Sequence, residues 1–567
     1  MKTNLRRIIS GLPGIVLLTC IVFPIASSAQ SNREWGTYYG GMNEDWGKSA
    51  ATDSSGNVYL AGLTSSTSGI ASGGFQNVYG GGTYDAFLVK LDSSGNRLWA
   101  TYYGGSNDDR GVSVTVDKSG NVYLSGTTIS TNAIASGGFQ NTFGGVKDGF
   151  LVKFDGAGNR IWSTYYGGTG DEEGGFVVTD TSGNVFLAGY SDSYTGIASN
   201  GFQNTYNTGY DGYVVKFDAS GSRLWGTYYG GAGFDYGLSV TTDLSGNVFL
   251  TGYTASTTNI SSGGFQNSLI GGNTNAFLVK FNATGSRLWA TYYGAYGEQG
   301  WDVATDLSGN VYLTGNTGAT SGIASGGFQN VYGGGPYDAF LVKFDALGNR
   351  LWATYYGGSY QDVGYAVATD HSGNVFLSGI TKSINGISSI GFQSTSGGGP
   401  FDAFLVVFTA AGNRLCGTYY GGAGNEDDLN TIAVDNFNNV YLAGYTDTTT
   451  TTAIASGGFQ NIYSGGIHDA FLVKFSSAGV FSQTEELAPN ENLAVFPNPS
   501  AGHFVIENKN VENGTLKIFD MKGQLIYAFG NFNRKKEVDL STAVNGVYFV
   551  VIEGGKESYS RKIIVNQ

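Results

Sequence analysis

Residues 111–128 read GVSVTVDKSGNVYLSGTT, residues 134–141 read IASGGFQN and residues 148–168 read DGFLVKFDGAGNRIWSTYYGG. Four short runs stand out, labelled A (111–117), B (122–128), C (148–155) and D (160–168). Val, Thr, Phe and Tyr in short runs broken by Gly, Asn and Asp make strands joined by tight turns. In the A-B turn, Asp117 to Asn121, Gly supplies the positive φ while Asp and Asn bond their own backbone. A calcium loop would need several carboxylates at alternating positions, and this turn has one. Runs B and C are apolar on both sides, as at Val122 to Leu124 and Phe150 to Val152, so their sheet must be covered on both faces. Four strands this short cannot cover themselves.

The unit recurs. Thr-Tyr-Tyr-Gly begins at Thr37, Thr101, Thr164, Thr227, Thr291, Thr354 and Thr418, 63 or 64 residues apart, which gives seven units. Asp-x-Ser-Gly-Asn makes the A-B turn in six of them, from Asp53, Asp117, Asp180, Asp243, Asp306 and Asp370, and Asn436-Phe437-Asn438-Asn439 replaces it in the seventh. Seven four-stranded sheets stacked around an axis cover every face, so the fold expected is all-β, a seven-bladed β-propeller. The seventh unit stops after Phe471 to Phe475 without a D strand, and Asn32 to Tyr39 aligns with the D run Asn96 to Tyr103. The N-terminal strand is therefore expected to close the last blade. An open solenoid of the same units would leave an unpaired edge. Trp holds one position of D in six copies (Trp35, Trp99, Trp162, Trp225, Trp289, Trp352) with Cys416 in the seventh, a regularity that speaks for core packing.

Lys2, Arg6 and Arg7 precede an apolar run from Ile15 to Ile25, followed by Ser27-Ser28-Ala29. This is the pattern of a secretory signal peptide, residues 1–29, and no transmembrane segment is expected after its cleavage. Cleavage would remove Cys20 and leave Cys416 without a disulfide partner. The 92 Gly, 7 Pro and 14% aromatic residues suit many strands and turns and almost no helix. The formal net charge of −14 belongs to the propeller, because the tail from Pro489 carries 9 basic against 8 acidic residues. Such a balance excludes nucleic acid as a natural partner.

Asp-x-Ser-Gly-Asn-Val-Tyr-Leu-x-Gly, Gly-Phe-Gln, Asp-Ala-Phe-Leu-Val-Lys and Trp-x-Thr-Tyr-Tyr-Gly-Gly resemble the seven-bladed β-propeller (SBBP) repeat family of bacterial secreted proteins, over roughly Trp35 to Phe481. That resemblance implies a fold and no single activity. After a propeller at 30–483 and a polar linker at 484–492, the segment 493–567 changes vocabulary. Val495-Phe496-Pro497-Asn498-Pro499, Gly502-x-Phe504, Ile518-Phe519-Asp520-x-x-Gly523, Asn545-Gly546-Val547-Tyr548 and Lys562-Ile563-Ile564-Val565 resemble the C-terminal sorting domain of the type IX secretion system. The apolar runs in it predict a small β-sandwich. The resemblance implies export across the outer membrane by the type IX machinery, to the surface or the medium.

Strand order puts the D-A and B-C connections on one face, which carries the long loops. Aligned on Tyr-Tyr-Gly, each D-A loop places a carboxylate at one position, give or take a residue: Asp45, Asp109, Glu172, Asp235, Glu298, Asp362 and Asp427. Such a ring either attracts cations, calcium among them, or basic ligands, or caps its own loops by accepting backbone N–H bonds. A second series, Asp85, Asp148, Asp211, Asn275, Asp338, Asp402 and Asp469, stands just before strand C and reads as structural, and so does Phe of Gly-Phe-Gln, from Phe75 to Phe459. Ser- and Thr-rich segments that vary between units, such as Thr64 to Gly69, Ser191 to Gly196, Thr381 to Gly386 and Asp447 to Thr452, are where a specific ligand would be recognised.

Three His and no Gly-x-Ser-x-Gly elbow leave little material for a catalytic triad or a His-bound metal. The reading is a monomeric, non-catalytic scaffold that needs no cofactor and binds glycan or protein through the long-loop face. The alternative is a carbohydrate-active hydrolase or lyase using acids on that face.

Overall fold

The computed structural model describes residues 33–476, apart from 390 and 450, and residues 493–566, apart from 509–510, 521–524 and 555–556. The stretches read as a signal peptide, 1–29, and as a linker, 484–492, lie outside the described residues. The chain divides into two compact units that part at Phe481 and Ser482.

In the first unit the described residues form seven four-stranded antiparallel sheets. Blade 1 runs Asp45–Thr52, Val58–Thr64, Asp85–Leu91 and Arg97–Tyr103 as strands A to D. Blades 2 to 6 repeat this order, their A strands opening at Asp109, Glu172, Asp235, Gln299 and Asp362. Blade 7 takes A, B and C from Glu426–Val434, Val440–Thr446 and Asp469–Phe475, and its outer strand is Arg33–Tyr39, paired so that Trp35 opposes Lys474 and Tyr39 opposes Ala470. Each A strand packs on the A strand of the next blade, and that of blade 7 packs on that of blade 1, which makes a closed ring. The only helix among the described residues is one turn, Thr451–Ile454.

Strands B and C are buried along their whole length, apart from the partly buried Tyr190, Tyr253 and Tyr445 near the ends of three B strands, because each sheet lies between two others. Between blades 1 and 2, Tyr59, Ala61, Ala86 and Leu88 meet Val114, Leu124, Phe150 and Val152. At the closing junction, Ala443, Ala470 and Leu472 of blade 7 meet Leu60, Phe87 and Val89 of blade 1 in the same way.

Two side chains of strand D rivet neighbouring blades. Trp99 reaches into blade 2, where its indole N–H donates to Gly156 O at 3.1 Å, and Trp35 does the same to Ser93 O of blade 1 at 3.0 Å. The turn beneath each ring needs glycine twice over. Gly158 has φ +86°, and a β-carbon there would sit 2.9 Å from the Trp99 ring. The Arg that opens strand D lies over the Phe of Gly-Phe-Gln in the preceding blade, Arg160 4.4 Å from Phe75 and Arg97 4.4 Å from Phe459 across the closure. That Phe is a packing plug, about two-fifths exposed and covered by a guanidinium.

The second unit is a two-sheet sandwich. Leu493–Phe496, His503–Asn508 and Lys535–Asp539 form one sheet, and Leu525–Phe532, Gly514–Asp520, Gly546–Gly554 and Glu557–Val565 form the other. Phe504, Ile506, Leu516, Ile518, Val538, Val550 and Ile563 make the core between them.

Candidate functional site

The D-A carboxylates are fully buried rather than displayed. Asp45, Asp109, Glu172, Asp235, Glu298 and Asp362 are all 0% exposed. Asp109 is typical. Its Oδ2 accepts the Gly105 N–H at 2.6 Å and the Ser130 hydroxyl at 2.8 Å, and its Oδ1 accepts the Thr128 hydroxyl. Three donors to one carboxylate form strong charge-assisted bonds, and they tie the D-A loop to strand B. In blade 5 the position of Ser130 is taken by Ala319, and Glu298 compensates by accepting the Ala295 and Tyr296 N–H groups at 2.8 Å. Burial still pushes Asp109 up to about 6 and Glu172 up to about 7.

Asp427 is not the seventh member. Glu426 pairs with Thr446 across the sheet, as Asp45 pairs with Thr64, and Asp427 falls one residue further along, opposite Tyr445. Glu426 is 0% exposed and accepts the Thr446 and Thr448 hydroxyls at 2.7 and 2.5 Å. Strand A of blade 7 carries one residue more in its bulge, between Asp427 and Thr431, but Glu426 precedes that bulge and stands eight residues after Thr418, as Asp45 stands eight after Thr37.

The Ser- and Thr-rich B-C segments are likewise half consumed by structure. Ser66, Ser130, Ser193, Ser256 and Ser383 are at most 2% exposed, and Ser66 bonds Asp45 at 2.9 Å. Repeat symmetry breaks elsewhere, at the second residue of strand A, the last but one of strand B and the residue before strand C. Trp46, Tyr445 and His468 occupy these places at the junction of blades 7 and 1. Trp46 stacks on Tyr445 at 4.7 Å, and Glu44 gathers the Trp46 indole at 3.0 Å, the Tyr84 hydroxyl at 2.6 Å and His468 Nδ1 at 3.1 Å. Those three partners hold the Glu44 carboxyl below the usual range against its partial burial.

At the junction of blades 3 and 4 the same positions hold tyrosines. Tyr236 packs 4.7 Å from both Tyr190 and Tyr253, with Tyr210 at 5.7 Å and the exposed Phe234 at 6.3 Å. Beside blade 5 a recess of about 340 Å³ is lined by Tyr296, Tyr337, Asn273, Thr274, Gln299 and Asn316. Sequence reasoning passed over these side chains because each sits inside or beside a strand that otherwise obeys the repeat.

Within the ring, Ser49, Ser113, Ser239 and Thr431 line the axis with one carboxylate among them, Asp302. Asp302 bridges blades by accepting the Ser239 hydroxyl at 2.6 Å and the Val367 N–H at 2.8 Å, and burial pushes it up to about 6. Its oxygens are committed to neighbouring strands.

The chain carries beta-propeller repeats at residues 34–70, 98–132 and 417–450 and a secretion system C-terminal sorting domain at residues 494–566. The tail marks the chain for type IX export, to the cell surface or outside. It is similar to an uncharacterized WD repeat-containing protein of Acanthamoeba polyphaga mimivirus, 25% identical over 525 residues, taking in 75% of this chain and 37% of that protein. It is also similar to the regulatory protein FlaEY of Caulobacter vibrioides, 26% identical over 29% of this chain and 18% of that protein. The chain thus spans well under half the length of these curated relatives. Among solved structures it is similar to PorZ, a bacterial surface component of the type IX secretion system of Porphyromonas gingivalis, at 14% identity and a TM-score of 0.34, covering 90% of this chain and 58% of that one. A polysaccharide lyase active on ulvan is similar at 10% identity and a TM-score of 0.38, over 77% of this chain and 97% of that one.

Proposed function

We propose that the protein is a surface or secreted scaffold that binds a glycan, without catalysing a reaction, through the face carrying the D-A and B-C loops. The observation that carries this reading is the set of aromatic groups on that face which depart from the repeat, with Phe234, Tyr296 and Tyr337 about half exposed and Tyr236 partly buried among them. A pyranose ring presents C–H faces and hydroxyl edges. Tyr236 with Phe234, and Tyr296 with Tyr337, offer π-surfaces for the former beside amides and carboxylates for the latter. The acidic net charge and the rim acids Glu44, Asp108 and Glu173 select against polyanionic chains, so a neutral glycan fits best. The domain limits at 30–483 and 493–567, and action as a monomer, belong to the same proposal.

A neutral glycan array followed by calorimetry tests it, with Phe234→Ala and Tyr296→Ala as probes. Both residues are more than half exposed, so stability should stay within about 0.5 kcal/mol, while affinity should fall about tenfold or more at a stacking anchor. Binding that neither substitution touches would refute the site. Release of new reducing or unsaturated ends from the bound glycan would move the reading to an enzyme.

A further inference from the structure

Six blade junctions hold an arrangement that loop capping leaves unexplained. Asp85, Asp148, Asp211, Asp338, Asp402 and Asp469 open the C strands and are at most 1% exposed. One oxygen of each accepts a backbone N–H, as Asp85 Oδ2 accepts Gly80 N–H at 2.5 Å and Asp469 Oδ2 accepts Ser464 N–H at 2.6 Å. The other, Oδ1, has no hydrogen-bond partner in any of the six. It is turned across the junction toward the capping carboxylate of the next blade. A β-carbon on Gly104 would lie 2.5 Å from Asp85 Oδ1 and 2.9 Å from Asp109 Oδ2, and one on Gly40 would lie 2.7 Å from Asp469 Oδ1 and 2.8 Å from Asp45 Oδ2. Two buried carboxyl groups thus face each other over a glycine. If both were ionised they would repel strongly in so dry a place.

The remaining junction shows what the geometry requires. There Asn275 stands in for the acid. Its Oδ1 accepts Ile270 N–H at 2.8 Å, which fixes the orientation of the amide, and its Nδ2 donates to Glu298 Oε2 at 2.9 Å. An asparagine amide has the shape of a protonated aspartic acid, with N–H in place of O–H. We infer that each of the other six pairs holds one proton, so that an acid of one blade donates to the capping carboxylate of the next. The ring takes these protons from solvent as it closes and returns them when it opens.

The electrostatics agree. Burial pushes Asp85, Asp211, Asp338 and Asp469 up to about 7 and their partners Asp109, Asp362 and Asp45 up to about 6. At the Asp148–Glu172 junction the order is reversed, about 6 and about 7, so the proton belongs to the pair. The titratable groups facing Asp85 and Asp109 are Asp108, Tyr79, Tyr102, Tyr103 and Tyr165, and none is a cation. A calcium ion wants roughly six to eight oxygens. Among the described residues no three His, Cys, Asp or Glu side chains converge to supply them.

The sign follows from linkage. Between about pH 4 and pH 7 the folded ring keeps protons that the unfolded chain has released, so stability is full below the unfolded carboxyl value and is lost as pH rises toward 7. Each pair lowers the folding constant about tenfold per pH unit across that window.

The test uses the exported protein with its full propeller, comparing infrared spectra and unfolding at pH 5.5 and pH 8. At pH 5.5 ordinary carboxylates are ionised, and a protonated-carboxyl C=O band should be present and should fade as pH rises. Asp85→Asn should remove about a sixth of the part supplied by the six pairs, to which Asp302 adds its own share, and raise the melting temperature at pH 8 relative to pH 5.5. Asn275→Asp should enlarge the band and lower the folding constant about tenfold or more at pH 8 but not at pH 5.5. Absence of the band, as for an ionised pair bridged by water, would overturn the inference. So would equal effects of Asn275→Asp at both pH values, or a melting temperature raised by millimolar Ca²⁺ in the wild type and not in Asp85→Asn.

Discussion

Replacing Trp35 by Ala tests ring closure at its most sensitive point. The side chain is 3% exposed, packs 6.1 Å from Tyr441 of its own blade and donates its indole N–H to Ser93 O of blade 1 at 3.0 Å. It lies on a strand held to the rest of blade 7 by pairing with Asp469–Phe475 and by backbone bonds from Gly36 and Tyr38 to Ser456 and Gln460 of the B-C loop. Truncating a buried Trp costs about 3 to 5 kcal/mol, and the orphaned turn carbonyl adds up to about 1 kcal/mol, less where water reaches it. A loss of about 4 kcal/mol is a large part of the 5 to 15 kcal/mol that typically holds a domain together. Guanidinium unfolding followed by far-UV circular dichroism measures it, with Leu98→Ala, at a D-strand position that is half exposed, as a control expected within about 0.5 kcal/mol. Trp225→Ala, inside an uninterrupted blade, should lose a similar amount. If Trp35→Ala stays within about 1 kcal/mol of wild type while Trp225→Ala does not, the first strand is not a working part of the seventh blade.

Asp109→Asn should cost about 1 to 3 kcal/mol, because an amide cannot accept all the donors that the carboxylate accepts. The melting temperature should answer equally with and without Ca²⁺, and a loss seen only in the presence of Ca²⁺ would reinstate a cation ring. Removing Leu493 to Gln567 should leave a folded propeller that accumulates in the periplasm. Unchanged surface or medium levels, measured by immunoblot of cell fractions, would separate the tail from export.

The repeat made the propeller legible because each blade solves one packing problem with one set of residues: Trp on D, an apolar B and C, and a glycine turn under the neighbour's indole. Closure was legible for the same reason, since Arg33 to Tyr39 carries the missing part of that set. The capping role of Asp109 was one of two readings, and only the burial and the three donors decide it. Glu426 stands eight residues after Thr418, as Asp109 stands eight after Thr101, and it escaped because a tolerance of one residue let the adjacent acid Asp427 take its place. Lys535–Asp539 makes a strand that no apolar run announces, because Val538 is its only buried residue and the other four are charged. The pairing of Asp85 with Asp109 spans two repeats, so it exists only once blades stack.

The strand Arg33–Tyr39 has a consequence in time. Its partners lie over four hundred residues away, with the Thr37 hydroxyl meeting the backbone of Gln460 423 positions along the chain. A chain threaded into its folding compartment from that end can rest Trp35 and Tyr39 on blade 1 but must keep Tyr38 and the pairing edge of the strand uncovered until the last repeat arrives. Blades 1 to 6 can assemble on local contacts, but the loop-closing step carries the entropy of the whole ring. The latch is thus the first strand made and the last to find its place, and it works as a completeness check: a chain cut short in its seventh repeat offers the waiting strand nothing to join and exposes an open edge to the cell's proteases.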